Sequence, residues 1–310
     1  MHEAGAWGHA PVLRDEVLDL LAVEAYTSSL QVGAPLVLDG TFGRGGHTEA
    51  LLLAGAQVIA LDRDPEALDA GRARLGAWIE AGALELHHAC FADAPTVLAE
   101  RRVQGIFLDL GVSSPQLDTP ERGFSFRADG PLDMRMDPTS GESAAELIQR
   151  LEEGALADVI YQYGEERQSR RVARAIKAAG PLTTTGALAA LVARVLPHDK
   201  RIHPATRTFQ ALRIAVNDEL GQLERALADL PGCLVPGGRF AVISFHSLED
   251  RLVKQAFRAR AGIDAPRDLR GNPMVPPDFR LVERRARTGK DLDPNPRARS
   301  ARLRALERLP

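Results

Sequence analysis

Residues 36–48, LVLDGTFGRGGHT, decide the fold. The apolar run that ends at Asp39 predicts a buried strand, and the four glycines that follow it predict a tight turn before a helix. A second apolar run, residues 58–61, ends in Asp62, which lies 23 residues after Asp39. In nucleotide-binding α/β folds, an acid at this place accepts hydrogen bonds from ribose hydroxyls. These residues therefore predict a nucleoside cofactor at the edge of a parallel sheet.

Outward from this stretch, strands and helices alternate along the chain and then the alternation stops. Strand patterns at 84–91 and 105–110 continue it, which is typical of a parallel sheet with helices on both faces. Residues 118–205 show helical periodicities and no convincing strand. They include the capping-box sequence Ser143-Ala144-Ala145-Glu146, which predicts the start of a helix.

The strand pattern returns near the carboxyl end of the chain. One long amphipathic helix is expected over 209–230, and a strand over 239–245. Residues 279–282 also fit a strand, whereas 299–307 fit a strand or a helix equally well. We predict a discontinuous α/β domain with an inserted all-helical domain; the boundaries are 1–117 and 206–310 for the first and 118–205 for the second.

The glycine loop itself narrows the choice of cofactor. It does not follow the pattern G-x-G-x-x-G, and it lacks Gly-Lys-Ser/Thr, so a phosphate-binding loop is poorly supported. Asp39 at the mouth of the loop would repel a pyrophosphate and would suit a cationic ligand. S-adenosylmethionine carries a sulfonium and an ammonium and no phosphate. It is therefore the expected cofactor, and a nicotinamide dinucleotide is disfavoured.

Charge is segregated along a chain whose net charge is only -3. Residues 1–166 carry 11 basic and 28 acidic side chains, residues 167–213 carry 10 and 1, and residues 251–310 carry 16 and 7. A codon bias can explain why most of the basic residues are arginine, but it does not explain why they cluster. Two basic zones on an acidic body predict a polyanionic partner such as nucleic acid.

Five segments carry a resemblance to a known family. They are similar, in the same order, to the motifs of the bacterial small-subunit ribosomal RNA methyltransferase H family, and the match spans about residues 9–308. The segments are DGTFGRGGHT at 39–48, DLGVSSPQL at 109–117, RGFSF at 122–126, GPLDMRMD at 130–137 and SFHSLEDR at 244–251.

The resemblance implies both a fold and an activity. The fold is a class I (Rossmann-like) S-adenosylmethionine-dependent methyltransferase domain, a parallel sheet with one antiparallel strand, with an inserted helical domain. The final strand falls in the ambiguous segment 299–307. The activity is transfer of a methyl group from S-adenosylmethionine to the N4 amino group of a specific cytidine in the decoding region of 16S rRNA.

Site residues are also implied by this resemblance. Asp62 would hold the ribose and Phe91, at the end of the third predicted strand, would pack on the adenine. His47 would contact the cofactor from the start of the first helix, and the glycines would let the backbone approach its methionine end. The implied cofactor residues are Gly45, Gly46, His47, Asp62, Phe91, Asp109 and Gln116.

The catalytic residues follow from the chemistry of an exocyclic amine. The N4 lone pair of cytidine is delocalised into the ring, and its attack on a methyl group creates a cation that must lose a proton. Many amino-methyltransferases place Asp/Asn-Pro-Pro-Tyr/Phe after the fourth strand, whereas this chain has Asp109 followed by Ser113-Ser114-Pro115. We expect Asp109, Ser113 and Ser114 to frame the amino group.

RNA contacts are expected in three places. His246 and Ser247 follow a strand at the carboxyl edge of the sheet, where α/β sites form. Asp133 and Arg135 lie in the loop that enters the insert. The insert also has arginines at helical spacing, followed by further basic residues: Arg167, Arg170, Arg171 and Arg174, then Lys200, Arg201 and Arg207.

Composition bounds the setting of the protein, and three alternative functions stay open. No apolar run approaches ~20 residues, which predicts no membrane span, and Cys90 and Cys233 are too few for a disulfide framework or a zinc site. We expect a cytoplasmic enzyme that binds the small ribosomal subunit, as a monomer or a homodimer. The alternatives are a methyltransferase for transfer RNA, DNA or protein, an RNA-binding assembly factor, and the disfavoured nicotinamide dehydrogenase.

Overall fold

A computed structural model describes residues 11–23, 33–197, 202–266, 268, 273–293 and 295–310. The chain divides into two compact units. The first comprises the described residues up to Gly111 and from Gln222 onward, and the second comprises Val112–Gly221. The predicted insert, 118–205, lies wholly inside the second unit. In the part of the chain that the structure describes, no helix is both long and apolar enough to cross a bilayer.

The first unit is built on one eight-stranded sheet. Its strand order is β3-β2-β1-β4-β5-β8-β6, and β7 also pairs with β8. Strands β1 to β5 pair in parallel, and β8 pairs antiparallel with β5, β6 and β7. The strands are β1 Leu36–Asp39, β2 Gln57–Asp62, β3 Leu84–His88, β4 Val103–Asp109, β5 Leu234–Ser244, β6 Phe279–Leu281, β7 Arg287–Thr288 and β8 Arg302–Arg308.

This topology confirms the predicted fold class. Among the described strands, β8 alone runs against the others, and it occupies the segment that the sequence left open between strand and helix. Strand β5 begins earlier than the predicted 239–245, because a register shift opposite Val103 and Gly105 accommodates Pro236-Gly237-Gly238.

The helices are numbered in chain order: α1 Arg14–Leu21, α2 Gly46–Leu53, α3 Pro65–Glu80, α4 Ala94–Leu98, α5 Ser114–Asp118, α6 Ala144–Arg150, α7 Glu153–Gly164, α8 Ser169–Ala179, α9 Thr185–Val195, α10 Thr206–Asn217, α11 Glu219–Asp229, α12 Ser247–Arg260 and α13 Gly289–Leu292.

Both faces of the sheet are buried by helices. Successive residues of a strand enter opposite cores: Phe107 packs with residues of α1, α2 and α3, whereas Ile106 and Leu108 pack with residues of α4, α11 and α12. The side-chain alternation of a strand, period two, sends its neighbours to opposite faces. In the central strands, whose faces are both covered, the acids Asp39, Asp62 and Asp109 lie at the carboxyl ends, and the site is found there.

The second unit is helical. Helices α6 to α10 bury one apolar cluster, which includes Leu156, Ile160, Val172, Leu188 and Phe209. Within the described residues of this unit, the strand-like pairing consists of a single bridge between Pro131 and Thr184. The predicted capping box opens α6: the Ser143 and Glu146 side chains bond to each other's backbone N–H groups.

The predicted single helix over 209–230 is wrong. The chain forms α10 and α11 instead, and Asp218 between them adopts a left-handed backbone with φ of 47°. Asn217 holds the break: its side chain accepts from Met136 N at 2.8 Å and donates to Met134 O at 2.7 Å. The apolar spacing stays in phase across this break, which is why periodicity alone missed it.

Candidate functional site

Three aspartates lie at the carboxyl ends of adjacent strands: Asp39 on β1, Asp62 on β2 and Asp109 on β4. Parallel strands end at the same edge, so the glycine loop after β1 lies beside all three. The backbone N–H of Asp109 donates to Thr41 Oγ1 at 2.6 Å, which ties the loop to β4.

The Asp39 carboxylate holds the start of the glycine loop and of α2 through hydrogen bonds. Asp39 is fully buried; its carboxylate accepts from Thr41 N at 3.1 Å and from Thr48 Oγ1 at 2.7 Å. Burial raises the pKa of Asp39 to about 6. The expectation that Asp39 stands at the mouth of the loop, facing a cationic ligand, is therefore wrong, because the side chain is buried and its two carboxylate oxygens bond to Thr41 in the loop and to Thr48 in α2.

Asp62 anchors the other side of the loop. Its carboxylate accepts from Gly43 N at 2.6 Å and from Asp64 N at 2.8 Å. Burial raises the pKa of Asp62 to about 6. Each carboxylate oxygen has a second lone pair, so the side chain keeps the capacity to accept from a ribose hydroxyl. The expected ribose contact stays a prediction.

Packing leaves no room for a Cβ atom at three glycines of the loop. Gly45 has φ of 72°, and a Cβ there would lie 2.6 Å from Cζ of the buried Phe42. A Cβ on Gly46 would lie 2.6 Å from Pro11 Cγ, and one on Gly40 would lie 2.8 Å from Phe91 Cβ. Larger residues would therefore displace the walls of the loop, Phe91 included, whatever the ligand.

Phe91 does not close the third strand as the sequence predicts. Strand β3 ends at His88, and Phe91 opens a short 3-10 turn, Phe91–Asp93. The reason is that β2 ends at Asp62, whose carbonyl accepts a last bond from Ala89 N at 3.1 Å, so no strand is left to pair with. Phe91 stays half-buried, where the turn presents it to Gly40 at the start of the loop.

His47 and Asp109 each carry a buried polar atom that lacks a hydrogen-bond partner among the described residues. His47 Nε2 lies 3.6 Å from Asp109 Oδ2, and the imidazole packs on Phe107 with ring centroids 4.6 Å apart. Both His47 Nε2 and Asp109 Oδ1 are buried, and neither has a hydrogen-bond partner among the described residues. Buried polar atoms are rarely left in this state, which indicates that a ligand completes their bonding.

The charges of this pair follow from its surroundings. Burial, with Arg14 nearby, lowers the pKa of His47 to about 3, so its imidazole is neutral. Burial, with the carboxyl groups of Asp39 and Glu249, raises the pKa of Asp109 to about 8. A cation bound beside Asp109 would favour its carboxylate form. The unpaired oxygen, the acidic surroundings and the neutral imidazole therefore fit a cationic ligand.

His246 is the N-cap residue of α12 and lies against an acid, Glu249, that the sequence pattern did not reveal. Its Nδ1 accepts from Glu249 N at 3.4 Å, and its Nε2 lies 3.1 Å from Glu249 Oε1. Glu249 Oε2 also accepts from Phe245 N at 2.8 Å, and Glu249 is buried. The capping box has histidine in the place of serine or threonine, so the usual signature did not reveal it. Ser247 is the first residue of α12.

In the second unit, Ser113, Ser114 and Gln116 come together at the start of α5. Ser113 N donates to Gln116 Oε1 at 2.9 Å, and the two side chains form a capping box. Gln116 is buried. The structure thus gives Gln116 a role in the helix cap, and its cofactor contact and the catalytic role of the serines stay predictions.

Asp133 and Arg135 form an ion pair with each other. Arg135 donates from Nε to Asp133 Oδ1 at 2.8 Å and from Nη2 to Oδ2 at 2.7 Å. Met134 between them has φ of 64°, a conformation that is uncommon for a residue with a side chain. The pair fixes a tight turn in its loop, and its contact with substrate stays a prediction.

The predicted arginines lie on the outer face of α8. Arg167, just before α8, and Arg170, Arg171 and Arg174 on it are exposed, whereas Val172 and Ile176 face the core. Among them, Arg174 has a weak ion pair with Glu153 at 3.5 Å. Lys200 and Arg201 lie outside the described residues. Arg207, on α10, is 3.7 Å from Glu166.

The fold and the strand-end site define an α/β methyltransferase. The chain matches the MraW methylase family over residues 6–309, and it belongs to that family. Two relatives are named Ribosomal RNA small subunit methyltransferase H. The one from Methylobacterium sp. (strain 4-46) is 52% identical, over 97% of this chain and 90% of its own length. The one from Anaeromyxobacter sp. (strain K) is 51% identical, over 97% and 98%.

These findings confirm the resemblance and the predicted cofactor. The protein is a methyltransferase, and its methyl donor is S-adenosylmethionine. Its described residues fit that donor at the pair formed by His47 and Asp109, where unpaired polar atoms and acidic surroundings meet.

Proposed function

We propose that the protein methylates the N4 amino group of a specific cytidine in the decoding region of 16S rRNA. Support for ribosomal RNA as the substrate class comes from relatives about half identical over nearly the whole chain, all named for the small ribosomal subunit. The enzyme then acts in the cytoplasm, where small subunits are assembled.

The observation that carries the chemistry is the unpaired oxygen of Asp109. When bound, S-adenosylmethionine supplies an electrophilic methyl group on a sulfonium sulfur. The difficulty lies with the amino group, because its lone pair is shared with the ring. The Asp109 carboxylate, whose side chain is 27% exposed, accepts a hydrogen bond from the amino group and localises that lone pair.

Asp109 also serves as the proton acceptor. With its pKa raised to about 8 by burial, it lies near the operating pH, where a general base is most effective. Neutral His47 lies beside the carboxylate, with its Nε2 3.6 Å from Asp109 Oδ2. Ser113 and Ser114, four and five residues further along the chain, frame the base in this proposal.

The cofactor is held by the residues around the glycine loop. Asp62 accepts from the ribose, Phe91 packs on the adenine, and Gly45 and Gly46 keep the loop close. Gln116 is the remaining cofactor contact of this proposal. The helical domain, residues 118–205, recognises RNA; Arg170 and Arg171 bind phosphates, since both are exposed on an outer helix face with few acids nearby.

The substrate assay separates this proposal from its rivals. Purified protein is incubated with radiolabelled S-adenosylmethionine and with naked 16S rRNA, assembled small subunits, transfer RNA, DNA or ribosomal proteins. We expect label in 16S rRNA or the small subunit, recovered as N4-methylcytidine on nucleoside digestion and mass spectrometry. Label in another macromolecule, or on another atom of cytidine, would contradict the proposal, and binding without any transfer would favour an assembly factor.

A further inference from the structure

A cavity lies in the first unit, beside the start of α12. Its volume is about 600 Å³. Its walls are one face of α12, the segment of β7 and α13, and the residues that lead into β8. Five basic side chains line it: Arg251, Lys254, Lys290, Arg299 and Arg302.

The two acids in the wall neutralise only part of this positive charge. Asp250 accepts from Arg302 at 3.2 Å and from Arg304, outside the lining, at 2.8 Å, and Asp291 accepts from the hydroxyl of Thr288. Three further cations are exposed and have no ion pair among the described residues: Lys254, Lys290 and Arg299. The cavity therefore carries a net positive charge that is available to a ligand.

Four of the residues that line the cavity share one face of α12. Ser247, Asp250, Arg251 and Lys254 follow one another at the three- and four-residue spacing that places side chains on one face. Val253 and the residues in phase with it are buried in the core. Arg251 and Lys254 consequently lie on one helix face that lines the cavity, and Phe245 adds an aromatic wall.

The cavity also lies next to the reacting edge of the sheet. Phe245 directly follows β5, which pairs with β4, the strand that ends in Asp109. Leu110 N donates to Ile243 O at 3.0 Å, and a Cβ on Gly111 would lie 3.6 Å from Phe245. A polymer that places one base at Asp109 can therefore reach this cavity with a neighbouring nucleotide.

We propose that this cavity is a nucleotide subsite for single-stranded RNA, beside the methylated residue. Lys254, Lys290 and Arg299 bind a backbone phosphate, and Phe245 contacts the attached base. Cationic grooves with aromatic walls are the usual means of holding single strands, and about 600 Å³ is within the range of ligand sites. The inference rests on the proposed function, since it takes RNA as the substrate.

The test removes two cations from the cavity in the full chain, as Lys254→Gln with Lys290→Gln. Binding to a single-stranded RNA oligonucleotide of the decoding region is measured by fluorescence anisotropy over a range of salt. We expect affinity at low salt to fall about tenfold, and the slope of log K against log[salt] to decrease by about 0.7 for each phosphate that the variant no longer neutralises. S-adenosylmethionine affinity and thermal unfolding stay unchanged.

The matched control removes the same charge elsewhere, as Arg72→Gln with Arg258→Gln. Both arginines are outside the cavity and have surface ion pairs, with Asp69 and Asp264. If the cavity variant and the control give the same affinity and the same salt slope, the subsite does not exist. Competition by inorganic phosphate adds a second arm: phosphate that binds in the cavity without weakening RNA would indicate a small-anion site and overturn the proposal.

Failure of this inference is distinguishable from failure of the proposed function. The binding readout does not depend on which atom is methylated. A cavity variant with a lower salt slope supports the subsite even if nucleoside analysis finds a product other than N4-methylcytidine. An unchanged slope, together with normal formation of N4-methylcytidine, removes the subsite and leaves the proposed function intact.

Discussion

The strand-end acids of the first unit and the arginines of α8 in the second unit are both charged clusters, but they are built differently. Asp39, Asp62 and Asp109 are buried or half-buried, and burial raises the pKa of all three carboxyl groups. Arg170 and Arg171 are exposed, and the hydrogen bond of Arg171 is to a neutral, exposed side chain. The ionisation of a buried group is set by the few groups around it. The attraction exerted by exposed charges is set by how many there are and by how strongly salt screens them.

This contrast indicates where each kind of change should act. A substitution among the three aspartates should alter the methylation rate, a pKa or the free energy of unfolding, because each carboxyl group acts on one or two neighbouring atoms. A substitution among the arginines should leave the fold and the chemistry intact and weaken a long-range attraction. Variants in each cluster, with matched controls, can test that division.

Asp109→Asn should have the largest effect. The amide cannot accept the proton of the amino group, so the single-turnover methylation rate should fall by about 10²- to 10⁴-fold. RNA affinity should not change, and Asp69→Asn, at an exposed position, should keep the normal rate. A normal rate in Asp109→Asn, with unchanged cofactor affinity, would falsify the general-base role.

Reversal of the arginine pair, Arg170→Glu with Arg171→Glu, should act on binding. We expect RNA affinity at low salt to fall on the order of 10²-fold, and the salt slope to decrease by about 0.7 to 0.9 for each phosphate left without its arginine. The thermal unfolding curve should not move. Arg72→Glu with Arg258→Glu is the matched reversal, and an equal fall in affinity in the two proteins would show that only net charge matters.

The pH dependence of stability should isolate Asp109. Its pKa is raised in the folded state, so the folded protein keeps a proton that the unfolded chain has lost, and stability falls as pH rises toward 8. Between pH 6 and 8 this amounts to about 2 kcal/mol. Chemical denaturation should show the wild type losing stability relative to Asp109→Asn over that range; parallel curves would contradict the raised pKa.

Thr48→Val should have a smaller effect, confined to stability. It removes the hydroxyl that donates to Asp39 Oδ2 and leaves a buried oxygen short of a donor, at a cost of about 1–2 kcal/mol. Thr139→Val breaks an equivalent bond to Asp137 at the surface, where water replaces it. Urea unfolding should therefore separate the two variants, and equal destabilisation would mean that burial at Asp39 is unimportant.

Much of the first unit could be predicted because its signals are local. The run from Leu36 to Asp39, the glycine loop and Asp62 each show their structure within a few residues, and a parallel sheet then follows. The resemblance supplied the antiparallel direction of β8, which periodicity left open. The sequence pattern predicted that Phe91 lies at the end of the third strand. This was wrong because β3 ends where its neighbour β2 ends.

The division of the predicted 209–230 helix into α10 and α11 also escaped prediction because it depends on a distant segment of the chain. The break at Asp218 depends on Asn217 reaching Met134 and Met136, some 80 residues away along the chain. This contact has no local sequence signal, because its groups meet only after folding. Glu249, three residues after His246, was missed for a local reason: histidine stands where the capping-box signature has serine or threonine.

Residue types, their spacing and the resemblance they carry were enough to predict the family, the parallel sheet with its one antiparallel strand, the methyl donor and the location of the basic segments, since these signals lie in short stretches of the linear chain. Tertiary packing was needed to establish which acids are buried, which polar atoms stay unpaired at Asp109 and His47, and which cations share one cavity. Those properties depend on the dielectric surroundings and neighbours of each group, which are set by packing between segments distant in sequence.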